Sequence, residues 1–175
     1  MADFGQMQQV SAYARGQGIR LHLDGARLFN LPLHSGKSLT DITALFDTVY
    51  VSLWKHFNGA SGAILAGEAD FIEGLFHERR LFGGALPYAW PQMALVADHV
   101  DAYQDEYARA WRDTEALMER LEADGRFAIT RVPNGTSRWF MTVRGADPVA
   151  MVAHARRHDV RLAAPNPSTG AMVMQ

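Results

Sequence analysis

Apolar residues at Phe4, Met7, Val10 and Ala14 recur at helical spacing, and Gly16-Gln17-Gly18 ends that segment. Ile19-Arg20-Leu21-His22-Leu23 then alternates as a half-buried strand does and runs into Asp24-Gly25, a turn signal. A helix is predicted over Arg27 to Leu33, with Pro32 near its end, and a second over Ser38 to Leu45, capped by Ser38 or Thr40. Asp47 to Leu53 is dense in β-branched residues and predicts the strongest strand of the chain, with Lys55 just past its carboxyl end. Asn58-Gly59 turns the chain, and Ser61 to Gly67 predicts a buried returning strand. Helices alternating with strands imply an α/β class, in which functional groups gather at strand ends.

The second half has a different pattern. Glu68 to Phe82 reads as a helix closed by Gly83-Gly84, and Tyr88 to Ala123 as a long helix ended by Asp124-Gly125. Its apolar positions, among them Leu95, Val96, Val100, Tyr103 and Leu117, are expected to pack. Strands follow at Phe127 to Val132 and Ser137 to Val143, then a helix at Pro148 to His158 and a strand at Val160 to Ala164. Ala171-Met172-Val173-Met174-Gln175 reads as a strand without a closing turn. These patterns divide the chain into residues 1–123, part of a large α/β domain with its connecting helix, and residues 124–175, a small α+β domain.

Composition narrows the class. With 48% hydrophobic and 21% charged residues, the 175-residue chain can bury a core. A formal charge of −2 gives no footprint for a phosphate backbone, so a nucleic-acid partner is not expected. The absence of cysteine excludes disulfides, thiolate metal sites and a cysteine nucleophile. No apolar run approaches the roughly 20 residues of a membrane span. The acidic opening Met1-Ala2-Asp3-Phe4 is unlike a secretion signal, so a cytoplasmic location is expected.

Several motif classes fail on inspection. Gly59 and Gly62 lack the Gly-Lys-Ser/Thr of a phosphate loop, and His77-Glu78 is followed by Leu81 where a zinc helix needs its second histidine. His154 and His158 lie one helical turn apart, but with Arg156 and Arg157 between them they read as a solvated face, and no metal site is assigned. What survives is Asp24 and Lys55. Lysine occurs only at Lys37 and Lys55; every other cationic side chain is arginine, which cannot shed its proton to attack a carbonyl. In a parallel sheet both strand ends would open on one edge. A carboxylate and an amine converging there suit pyridoxal phosphate, which needs a lysine for its Schiff base and an acid to keep its ring nitrogen protonated. The simpler alternatives are an Asp24 that caps the amides of Gly25-Ala26-Arg27 and a Lys55 whose stem packs while its head reaches water.

Leu21-His22-Leu23-Asp24-Gly25-Ala26-Arg27-Leu28-Phe29-Asn30 and Val51-Ser52-Leu53-Trp54-Lys55-His56-Phe57-Asn58-Gly59-Ala60-Ser61-Gly62-Ala63 resemble the threonine aldolase/β-eliminating lyase family, which are fold-type-I pyridoxal-phosphate enzymes. The resemblance implies that Asp24 pairs with the pyridine nitrogen, that Arg27 lies beside the phenolic oxygen, and that Lys55 carries the Schiff base. It implies a lyase acting on a small amino acid, with cleavage of a β-hydroxy amino acid such as threonine to glycine and an aldehyde, in a homo-oligomer (dimer or tetramer). It covers the family's C-terminal half, so the chain is expected to be a fragment, inactive alone. Three features differ from the family pattern: Gly83-Gly84-Ala85-Leu86-Pro87-Tyr88 has no arginine, none follows Arg161, and Trp54 stands where serine is common. These leave open a second expectation, a non-catalytic dimerisation or regulatory domain that retains the fold.

Overall fold

A computed structural model describes residues 3–85, 87–132 and 137–174. Helix α1 (Phe4–Gly16) starts where Asp3 accepts the amides of Gly5 and Gln6. It is tied down by Ser11, which donates to the Leu45 carbonyl at 2.7 Å. Strand β1 (His22–Asp24) is shorter than the alternating pattern suggests. Residues 19–21 instead close the helix and lead into the sheet: Ile19 N–H returns to Ala14, and Leu21 exchanges bonds with Asp47 and Thr48.

The predicted Arg27–Leu33 helix is a 3₁₀ turn (Leu28–Asn30) followed by helix α2 (Leu31–Ser35). Pro32 sits in the first turn of α2 rather than near its end, because a proline lacks only an amide that a helix start leaves unused. Helix α3 (Leu39–Thr43) carries the expected Ser38 cap, closed reciprocally by Asp41. Strands β2 (Thr48–Ser52) and β3 (Ala63–Gly67) complete a three-stranded sheet in the order β1-β2-β3. Strands β1 and β2 are parallel, with His22, Leu23 and Asp24 level with Thr48, Val49 and Tyr50; β3 runs antiparallel to β2.

Strand β3 corrects an expectation. Every residue of it is exposed, Ile64 at 50%, and it forms an edge of the described sheet with helix α4 (Ala69–Gly74) beside it. The core of this region forms where Leu28, Leu31, Ile42, Val49, Val51, Leu53, Phe57 and Val96 pack together. Burying Phe57 or Ile42 completely is worth about 1.5–3 kcal/mol each.

Each long predicted helix is two. Helices α4 (Ala69–Gly74) and α5 (Phe76–Leu81) break at Leu75, directly after a glycine that weakens the helix. Helix α6 (Trp90–Val100) ends with His99 in its last turn, and α7 (Tyr103–Ala123) opens with Asp105 and Glu106, charges that suit opposite helix dipoles. Val96 is buried as expected, whereas Leu95 and Leu117 are exposed. Leu86 lies outside the described residues, as do Met1, Ala2 and Gln175.

Within the structure the chain groups into two compact units, Ala2–Glu106 and Tyr107–Gln175. The second unit has its own antiparallel sheet in the order β4 (Phe127–Arg131), β5 (Trp139–Val143), β6 (Met172–Met174). Helix α8 (Pro148–Arg157) joins β5 to the closing segment. Met118 of α7 packs with Ile129, Trp139, Met141 and Met172, which explains why this part of the helix groups with the sheet. The strand expected at Val160–Ala164 is irregular: Asp159 takes a left-handed φ of 59°, and Val160 N–H turns back to the Ala155 carbonyl. No helix among the described residues is long and apolar enough to cross a membrane.

Candidate functional site

Asp24 ends β1, and Gly25 follows because nothing larger fits. A Cβ there would stand 2.7 Å from the Tyr50 carbonyl oxygen and 3.2 Å from Leu28 Cβ. The loop therefore folds tightly against β2. Leu28 N–H bonds to the Gly25 carbonyl, and Ala26 N–H donates to Asp24 Oδ1 at 3.1 Å. The capping role is thus real, but it occupies one carboxylate oxygen and leaves the side chain exposed to solvent. Arg27 is exposed as well.

Lys55 sits in the turn after β2, between two anchors. Leu53 and Phe57 are 2% and 1% exposed, and Phe57 N–H bonds to the Leu53 carbonyl. Asn58 adopts φ 53°, a conformation asparagine tolerates, and the chain reverses toward β3. Lys55 is half-buried, with its Nζ 5.1 Å from the centroid of the exposed Trp54 ring. Because β1 and β2 are parallel neighbours, about 4.8 Å apart, the Asp24 and Lys55 segments leave the sheet on one edge. No ion pair joins the two side chains.

Beneath these groups lies a polar bridge. Tyr103, the first residue of α7, donates its hydroxyl to Asn30 Oδ1 at 2.7 Å and lies 2.5 Å from His56 Nδ1. The direction of the His56–Tyr103 bond follows the tautomer of the imidazole. Its Nε2 is buried without a hydrogen-bond partner among the described residues. Burial, aided by the Arg27 guanidinium and Lys55 ammonium and opposed by the Ala26 carbonyl, pushes His56 down to about 4. Burial raises Tyr103 to about 12, with Arg27 opposing. Both groups are therefore uncharged near neutrality. The shared electrostatic influence also shows that Arg27, Lys55 and His56 occupy one neighbourhood.

Sequence pattern brought forward Asp24 and Lys55, the family resemblance added Arg27, and the structure sets their segments side by side. Neither reading brought forward Asn30, His56 or Tyr103, whose partners lie 73 and 47 positions apart along the chain. Asn30 inside an apolar helix pattern was the one available signal, since a buried amide needs a partner. Among the described residues no group of three or more histidines and carboxylates could hold a metal.

The donor set fits pyridoxal phosphate. It offers a carboxylate with a free oxygen, a guanidinium, and an amine on a separate segment of the same sheet edge. Gly25 lets the carboxylate loop lie flat on β2 where a side chain would lift it. The fold is that of the fold-type-I pyridoxal-phosphate enzymes. Residues 2–144 match the model of the β-eliminating lyases, and the chain belongs to that family. A low-specificity L-threonine aldolase of Saccharomyces cerevisiae is 27% identical over 161 residues, which is 90% of this chain and 41% of that protein. A solved structure from Exiguobacterium, assigned as an aromatic amino acid β-eliminating lyase/threonine aldolase, superposes with a TM-score of 0.81 at 27% identity. One from Listeria monocytogenes, assigned as an L-allo-threonine aldolase, gives the same values. Each alignment covers 99% of this chain and 50% of the solved chain. The chain thus spans half or less of the length of these relatives.

Proposed function

We propose that this chain forms the cofactor-gripping part of a pyridoxal-phosphate-dependent lyase that cleaves a β-hydroxy amino acid, such as threonine, to glycine and an aldehyde. The observation that carries the reading is the parallel pairing of β1 with β2, which delivers Asp24 and Lys55 to one sheet edge. Residues 1–123 would supply the cofactor-binding part and residues 124–175 the small C-terminal domain. Asp24 would hold a proton on the pyridine nitrogen through the oxygen not pledged to Ala26. Arg27 would neutralise the phenolic oxygen, and the Lys55 amine would anchor the cofactor's aldehyde carbon. Bound there, pyridoxal phosphate supplies an electron sink for the pair released when the Cα–Cβ bond breaks. The uncharged bridge under Lys55 adds no further cation to a place that already has two.

The assembly would be a cytoplasmic homo-oligomer, dimer or tetramer, acting on a small-molecule amino acid. A second reading, a non-catalytic dimerisation or regulatory domain, draws support from the exposure of Asp24 and Arg27 and of the apolar Ile64 and Leu65 on β3. An absorbance scan of protein mixed with pyridoxal phosphate separates the two. A new near-visible band that vanishes in Lys55→Ala supports the enzyme, and a colourless wild type supports the domain.

A further inference from the structure

The two loops that carry the site are not simply neighbours; they are tied together. Asn30 lies three residues beyond Arg27, on the 3₁₀ turn that follows the Asp24 loop. His56 is the residue after Lys55. Tyr103 reaches both, bonding Asn30 Oδ1 at 2.7 Å and His56 Nδ1 at 2.5 Å. The tyrosine ring is itself held edge-on by Phe29 and Phe57, with centroids at 6.4 and 5.2 Å. Those phenylalanines belong to the same two loops and meet each other at 4.9 Å. Apolar packing alone would keep the loops close. Only the polar bridge fixes their register, because hydrogen bonds carry direction and ring contacts carry little.

From this arrangement we infer that His56, Tyr103 and Asn30 are positioning residues that set where the Lys55 amine stands relative to Asp24 and Arg27, so that Lys55 reacts selectively with a phosphorylated aromatic aldehyde. The inference rests on the proposed pyridoxal-phosphate reading and deepens it. The bridge touches none of the reacting atoms. It acts through the backbone at position 55 and through the loop at positions 24–27. The bridge needs a polar atom at the Nδ1 position of residue 56. An asparagine places an amide atom able to donate or accept where Nδ1 was, and a glutamine places it nearer the Nε2 position instead.

The chain supplies its own control, since Lys37 is the other lysine and is exposed. Protein treated with pyridoxal phosphate and reduced with borohydride is digested, and labelling at Lys55 and Lys37 is compared by mass spectrometry. Wild type labels Lys55 well above Lys37. Tyr103→Phe, which keeps the ring, and His56→Gln lower that ratio about tenfold or more, as expected when a reacting group is displaced by a fraction of an ångström to one ångström. His56→Asn keeps the wild-type ratio. A merely structural role would lower the melting temperature in both His56 variants without separating their ratios. If Tyr103→Phe fails to fold, the His56 pair decides the matter. A wild-type ratio near one overturns the pyridoxal-phosphate reading and this inference with it. A high wild-type ratio kept by Tyr103→Phe, or an equal ratio in the two His56 variants, overturns the inference alone.

Discussion

The two sheets of this chain are built to opposite standards. In the second unit β4, β5 and β6 are all antiparallel, and Trp139, Ile129 and Met141 close a core with Met118. It carries a surface ion-pair network: Arg131 bridges Glu115 and Glu122 at 3.0 and 2.9 Å, and Trp139 Nε1–H reaches the same Glu115. In the first unit the sheet mixes parallel and antiparallel strands and leaves β3 exposed. The buried side-chain atoms without partners among the described residues, Ser52 Oγ, His56 Nε2 and Gln92 Oε1, all lie there. The unit that departs from local rules is thus also the one that carries Asp24, Arg27 and Lys55.

Four substitutions and one titration would break or sharpen that contrast. The largest effect is expected from Lys55→Ala, which should abolish covalent uptake of pyridoxal phosphate, read as loss of the near-visible band. Asp24→Asn in the intact enzyme should leave the cofactor attached and lower turnover on the order of a hundredfold, the scale of a lost charge at a reacting centre. Unchanged turnover would remove Asp24 from its role. Gly25→Ala should destabilise the first unit by about 2–4 kcal/mol, because a Cβ meets backbone that cannot yield. Urea melts followed by probes in each unit would show whether the second is spared.

The titration concerns His56. Its folded pKa is depressed to about 4 from an ordinary 6.5, so its contribution to stability is complete above 6.5 and is lost as pH falls toward 4. For a ring only half withdrawn from water the loss is roughly 1–2 kcal/mol. His34, lowered by burial, works in the same direction; Asp41, lowered by its bonds to Ser38, acts only below about pH 4. Melting temperatures of wild type and His56→Asn should diverge across that window and nowhere else. Arg131→Ala should cost the second unit under about 1 kcal/mol, less in high salt, since its partners are partly exposed.

Much of this was legible in the residues themselves. Asp47 to Leu53 announced β2 through its β-branched run, and of the two caps offered, Ser38 and Thr40, the structure uses Ser38. Asp24 and Lys55 stood out because a turn and a rare lysine each followed a strand. What escaped notice depends on distance along the chain. A periodic pattern cannot show that Tyr103 meets residues on two earlier loops. Nor can an apolar run such as Ala63 to Gly67 reveal whether anything covers it. The Val160–Ala164 segment had strand composition but pairs with no strand among the described residues, and composition alone does not make a ladder.

The closeness of Lys55 to Trp54, with 5.1 Å from amine to ring centroid, gives the chain a built-in optical gauge. A chromophore attached to that amine, absorbing where indole emits, would drain the excited state of Trp54 by energy transfer. Occupancy at the amine could then be followed through tryptophan emission alone, in dilute solution and without a substrate.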